Sequence, residues 1–66
     1  MKIIVNGEER EFKENITLQE VLRALSLESK VMAAAVNMNI VKQDAWEHYN
    51  LQDGDKLELL DFVGGG

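Results

Sequence analysis

Few residues in this chain of 66 can do covalent chemistry, and the most unusual of them carry no side chain. Cysteine is absent and histidine occurs once, as His48. Disulfide frameworks, iron–sulfur clusters, thiolate zinc sites and cysteine nucleophiles are therefore excluded. No Gly-x-Ser-x-Gly elbow is present either. His48 lies in a connector beside Trp46 and Tyr49 and reads as a surface or partly packed ring. Asp53-Gly54-Asp55 resembles part of a calcium loop but lacks the spaced ligands and closing glutamate, so it reads as a turn. No catalytic residue, metal ligand or bound cofactor is expected. What remains is Gly64-Gly65-Gly66, three of the five glycines, directly after a strand. They precede no helix and so form no phosphate cradle. Without Cβ atoms, an extended glycine tail threads a narrow channel and projects a carboxylate roughly 10 Å beyond the strand, at about 3.3–3.6 Å per residue. Such a carboxylate is inert until activated, typically as an acyl adenylate, from which a nucleophile displaces AMP. The plain alternative is a frayed terminus or an expression remnant.

The elements that must position this tail are legible in the pattern. Ile3-Ile4-Val5 followed by Asn6-Gly7 predicts a hairpin, because both turn residues tolerate positive φ. Its return arm, Glu9 to Lys13, is polar except for Phe12, as suits an edge strand. Thr17-Leu18-Gln19-Glu20 predicts a capping box, with Ile16 and Val21 as the hydrophobic staple. Leu18, Val21, Leu22 and Leu25 then form one apolar stripe, and the helix ends near Leu25 to Leu27. Val31 to Val36 is alanine-rich, which favours helix by propensity, but it is short and reads as a strand. Asn37-Met38-Asn39 turns it into Ile40-Val41. Gln43 to Asn50 is a connector with one helical turn at Asp44 to His48, anchored by Trp46 and Leu51. After the Asp53-Gly54 turn, Lys56 to Val63 is the last strand. Leu57, Leu59 and Asp61 share one face, with Leu57 and Leu59 expected to meet the helix. Glu58, Leu60 and Phe62 share the other, where a partner would grip just upstream of the tail. The result is an α+β domain over 1–63, a mixed sheet of four to five strands packed on one helix, with 64–66 as a flexible glycine tail.

At this size folding buries only about 60% of the unfolded surface, so the core is thin. The composition, 45% hydrophobic and 29% charged, fits a soluble globular domain. No apolar run approaches the roughly 20 residues that span a bilayer. The opening Met1 to Gly7 is too short for a secretory signal, and a cytoplasmic location is expected. Residues 1–43 balance six acids with six bases, whereas 44–66 carry six acids against Lys56, so the net charge of −5 sits in the last third. That surface repels nucleic acid and anionic membrane. It suits a basic protein pocket, or it serves solubility alone.

The chain resembles the ThiS family, sulfur carriers of thiamine biosynthesis within the ubiquitin-like β-grasp fold. The resemblance runs from Met1-Lys2-Ile3-Ile4-Val5-Asn6-Gly7 and Thr17-Leu18-Gln19-Glu20-Val21-Leu22 through Ala35-Val36-Asn37, Ile40-Val41, Trp46 and Leu51. It continues into Asp53-Gly54-Asp55-Lys56-Leu57-Glu58-Leu59 and ends in Phe62-Val63-Gly64-Gly65-Gly66. The resemblance implies that a ThiF-like adenylating enzyme uses ATP and Mg²⁺ to activate the Gly66 carboxylate, while Gly64 and Gly65 thread the partner's active site. Sulfur from a cysteine desulfurase relay then gives a thiocarboxylate, which a ThiG-like thiazole synthase consumes. The carrier itself is no enzyme. The small subunit of molybdopterin synthase, a sulfur carrier of another pathway, a ubiquitin-like protein modifier and a plain β-grasp binding module are the alternatives.

Overall fold

The computed structural model describes the backbone of residues 1–61 and the side chains of residues 1–60. Phe62 and Gly64 to Gly66, together with the proposed boundary at 63/64, lie outside the described residues.

Among the described residues, five strands and one α-helix follow one another as β1 (Lys2–Val5), β2 (Glu8–Glu11), α1 (Leu18–Ala24), β3 (Val31–Val36), β4 (Asn39–Val41) and β5 (Lys56–Asp61), with a 3-10 helix at Gln43–His48 before β5. The sheet order is β2-β1-β5-β3-β4. β5 is central, parallel to β1 and antiparallel to β3, while both hairpins are antiparallel. This is the mixed sheet of a β-grasp fold, and the alanine-rich Val31–Val36 is a strand. Packing between β4 and β5 overrides its helical propensity. β2 spans Glu8–Glu11 and stops short of Phe12, whose amide instead donates to Met1 O at 2.8 Å.

The helix begins and ends on local chemistry. Thr17 Oγ1 accepts the Glu20 N–H at 3.1 Å, and Glu20 Oε1 accepts the Thr17 N–H at 3.0 Å. Two amides that would otherwise be orphaned at the N-terminus are thereby satisfied. At the other end Leu27 N–H reaches Leu22 O at 2.8 Å and Ser26 N–H reaches Arg23 O at 3.1 Å. Ser26 sits at φ 59°. That is a Schellman closure made with serine where glycine is usual.

Leu18, Val21 and Leu22 on the helix bury against Ile3, Val5, Val36 and Leu57 of the sheet, with Ile16, Trp46 and Leu51 completing the core. Leu57 is fully buried and Leu59 half-buried against this cluster. The expected core face of the last strand is therefore observed at both positions. Trp46 Nε1 donates to Val41 O at 2.8 Å, so the connector's anchor is also a tie to β4.

Candidate functional site

β5 carries the sequence toward Gly66, so the surfaces flanking it decide what a partner meets. Cross-strand pairs put their side chains on the same face. Ala33 pairs with Leu60, and Ala35 pairs with both Glu58 and Ile40. These five residues share the face away from the helix and line a shallow depression of about 320 Å³. Leu60 is 61% exposed and Ile40 73% exposed. Alanines on β3 leave a low floor, with Leu60 of β5 and Ile40 of β4 standing on either side of it. Glu58 adds a negative charge at its edge. The structure thus brings together Glu58 and Leu60, two of the three sequence-derived docking residues; the third, Phe62, lies outside the described residues.

Ile40 is a docking candidate that sequence reasoning missed. The signal was available, because alternation in a three-residue strand that buries Val41 must turn Ile40 outward. Met32 was less legible. A register shift between Val31 and Ala33 makes it the extra residue of a β-bulge. The bulge lets Val31 bury while Ala33 faces out, although two residues apart they would ordinarily share a face. Met32 itself is 53% exposed.

The acids near β5 divide into two kinds. Asp53 Oδ1 accepts the Lys2 N–H at 2.7 Å, and the two Asp55 carboxylate oxygens accept from Asn37 Nδ2 at 2.9 Å and the Gln52 N–H at 2.8 Å. These two carboxylates hold the loop that feeds β5. Glu58 is in no ion pair among the described residues. Among the acids of β5 and its feeding loop whose side chains are described, Glu58 is the one that holds no loop contact and lies on the open face. His48 is exposed and away from any cluster of metal-ligating groups; none is present among the described residues. No helix among the described residues is long and apolar enough to cross a membrane.

One α-helix held by a five-stranded mixed sheet, with an apolar open face beside the strand that leads to the glycines, defines a β-grasp protein. The chain belongs to the ThiS family, whose model matches residues 3–66. It is 30% identical to the sulfur carrier protein ThiS of Escherichia coli, over 100% of both chains. The crystal structure of the thiamine biosynthesis protein ThiS from Geobacter metallireducens superposes with a TM-score of 0.83 at 29% identity, again over 100% of both chains. A thiazole synthase of Paramagnetospirillum magneticum is 39% identical over 100% of this chain, which spans 20% of that protein's length.

Proposed function

We propose that the chain is a sulfur carrier of thiamine biosynthesis and that the carboxylate of Gly66 is its working group. The observation that carries this reading is end-to-end similarity to proteins named as sulfur carriers. A carboxylate oxygen attacks the α-phosphorus of ATP, supplied with Mg²⁺ by a ThiF-like adenylating enzyme, and pyrophosphate departs. The terminal sulfur of a persulfide delivered by a cysteine desulfurase relay then attacks the acyl carbon and AMP leaves; a thiol reductant cleaves the S–S bond of the resulting acyl disulfide, and the product is a thiocarboxylate. Gly64 and Gly65 offer no Cβ to obstruct the partner's active site. The chain is the carrier and co-substrate in this scheme, not the catalyst. It binds no cofactor of its own.

Thiazole synthase is the proposed consumer. A segment resembling the whole of this chain makes up 20% of two proteins of that name. Joining carrier and acceptor on one polypeptide raises their effective concentration, as expected for partners that must meet repeatedly. The open face, with Glu58, Leu60 and Ile40, is the proposed grip for these partners, and Phe62 extends it in sequence.

Intact mass spectrometry tests the reading. Incubation with the adenylating enzyme, ATP and Mg²⁺ should add one AMP, and the complete sulfur-transfer system should replace one oxygen by sulfur. Deleting Gly64 to Gly66, which leaves no glycine carboxylate, should abolish both additions while circular dichroism stays unchanged. A truncated chain that is still adenylated would sink the carboxylate assignment.

A further inference from the structure

β1 ends before β5 does, and the residue at which it ends does something that its turn does not require. Ile4 N–H donates to Asp55 O at 2.9 Å and Asn6 N–H to Leu57 O at 2.9 Å, successive rungs of a parallel ladder. The next rung would run from Leu59 N–H to the backbone carbonyl of residue 6. Asn6 has turned out of the strand at φ 47°, into the hairpin. Its side-chain oxygen takes the vacated place, and Oδ1 accepts the Leu59 N–H at 2.7 Å. The carboxamide thus replaces its own main-chain carbonyl and extends the ladder by one rung. Beyond Leu59, β5 pairs on the β3 side through Ala33–Leu60 and Val31–Asp61, the stretch that the bulge at Met32 interrupts.

We infer that Asn6 is a positioning residue for acyl activation. By fixing the backbone at Leu59 it sets the direction in which the chain continues from β5 toward Gly66. The inference rests on the Gly66 reading and deepens it. Five residues follow Asp61 in the sequence, and the backbone direction at Leu59 sets where their path begins. A near-attack geometry tolerates little error in that direction. The rung is a contact to the Leu59 main chain and uses no side chain of the docking face on Glu58, Leu60 and Ile40, so its loss removes no binding contact directly.

Two substitutions isolate the acceptor from the turn. Asn6→Gly retains a residue suited to positive φ but removes the oxygen, whereas Asn6→Asp keeps both. With purified adenylating enzyme, ATP and Mg²⁺, Asn6→Gly should lower kcat for adenylation about tenfold with KM nearly unchanged. Amide exchange at Leu59 should accelerate by a similar factor while Leu57 stays protected; that is the scale of one hydrogen bond. Asn6→Asp should restore both readouts. Wild-type kinetics in Asn6→Gly would overturn the inference, as would a kcat loss equal in the two variants or explained by the unfolded fraction. A wild-type chain that is never adenylated overturns the Gly66 reading first. If the Leu59 amide still responded to Asn6→Gly, the rung would stand without its role in activation.

Discussion

The β1–β2 and β3–β4 hairpins flank β5 from opposite sides and use nearly the same turn. Each closes through two residues between the pairs Val5–Glu8 and Val36–Asn39, and each begins with an asparagine. Both turn residues have positive φ, 47° and 86° at Asn6-Gly7, 50° and 74° at Asn37-Met38, as a type I′ turn needs. In each, the asparagine side chain stands in for its own carbonyl toward β5. Asn37 Oδ1 accepts the Lys56 N–H at 3.0 Å, just as Asn6 Oδ1 accepts that of Leu59. The outward surfaces then diverge. The first hairpin presents a charged edge of Glu8, Glu9, Arg10 and Glu11, with Lys2 paired to Glu9 at 3.9 Å. The second presents Ile40 and, at its tip, Met38, which is 90% exposed. One hairpin blunts a sheet edge with charge. The other exposes apolar side chains at a conformational cost that glycine would avoid. A strained, exposed apolar residue is what a contact kept for a partner would leave behind.

The largest expected effect concerns how the second hairpin is tied to the body. Trp46 is 1% exposed and bonds to the last carbonyl of β4. Trp46→Ala should cost about 3–5 kcal/mol, against a total of about 5–15 kcal/mol for a whole domain. In a core this thin, the variant should be largely unfolded by circular dichroism without denaturant. Trp46→Phe should cost less, since it loses the hydrogen bond but retains much of the packing. Equal, small losses from both would mean that the 3-10 helix is a passive connector.

Next in size is the contrast between the two outer surfaces. Leu60→Asp or Ile40→Asp should raise Kd for the adenylating enzyme roughly tenfold or more, as loss of a central apolar anchor does. Thermal stability should hardly change. Glu9→Gln and Glu11→Gln, on the charged hairpin, should leave Kd within twofold, roughly the noise of a rim contact. Titration calorimetry on the four variants would decide. If the glutamate variants bind worse than the apolar ones, the docking face has been assigned to the wrong half of the sheet.

Much of this arrangement could be read from sequence because it rests on local chemistry. Asn6-Gly7 declares its turn, Thr17 with Glu20 declares the helix start, and alternation from Leu57 to Leu60 separates core from open face. The hidden part depends on partners distant in the chain. Asn6 and Leu59 lie 53 residues apart, so the side chain's second task is invisible beside its turn preference. The bulge at Met32 follows from fitting β3 to β5 and has no composition cue. Met38 falls in the turn that the sequence places there, but its left-handed backbone was not legible, because a bulky residue is a poor indicator of positive φ. Asp53 and Asp55 declare a turn in the sequence, but the distant amides their carboxylates accept, from Lys2 and Asn37, are set by the fold.

Met38 itself gives a smaller but sharper test. Left-handed backbone costs a residue with a Cβ roughly 1–2 kcal/mol, part of which glycine forfeits through its freer unfolded chain. Met38→Gly should therefore stabilise the fold by about 0.5–1 kcal/mol in urea titrations. It would make the second turn resemble Asn6-Gly7. If Met38 is retained for contact, the more stable variant should bind its activating enzyme less tightly. Higher stability with unchanged binding would reduce the difference between the two turns to sequence drift.

The weakest expected effect lies on the side of the first hairpin, which adds an exposed ion pair at the helix start to the packing of Ile3 and Val5. Lys13, just after β2, stands 3.6 Å from Glu20 Oε2 at the helix start. The Glu20 pKa is held below its ordinary value chiefly by the Thr17 N–H it accepts, with Lys13 assisting and partial desolvation opposing. A lowered carboxylate pKa means that the folded state holds the ionised form more firmly than the unfolded chain does. The resulting stabilisation is complete above the unfolded-state pKa and disappears as pH falls through the folded one. Glu20→Gln can still reach the Thr17 amide but cannot carry the charge. The wild-type advantage in Tm over Glu20→Gln should therefore be present at neutral pH and vanish on acidification. Added salt should diminish the Lys13 share, since both side chains are exposed. A Tm difference constant with pH would show that the cap works by hydrogen bonding alone. The first hairpin would then lack an ionic connection to the helix.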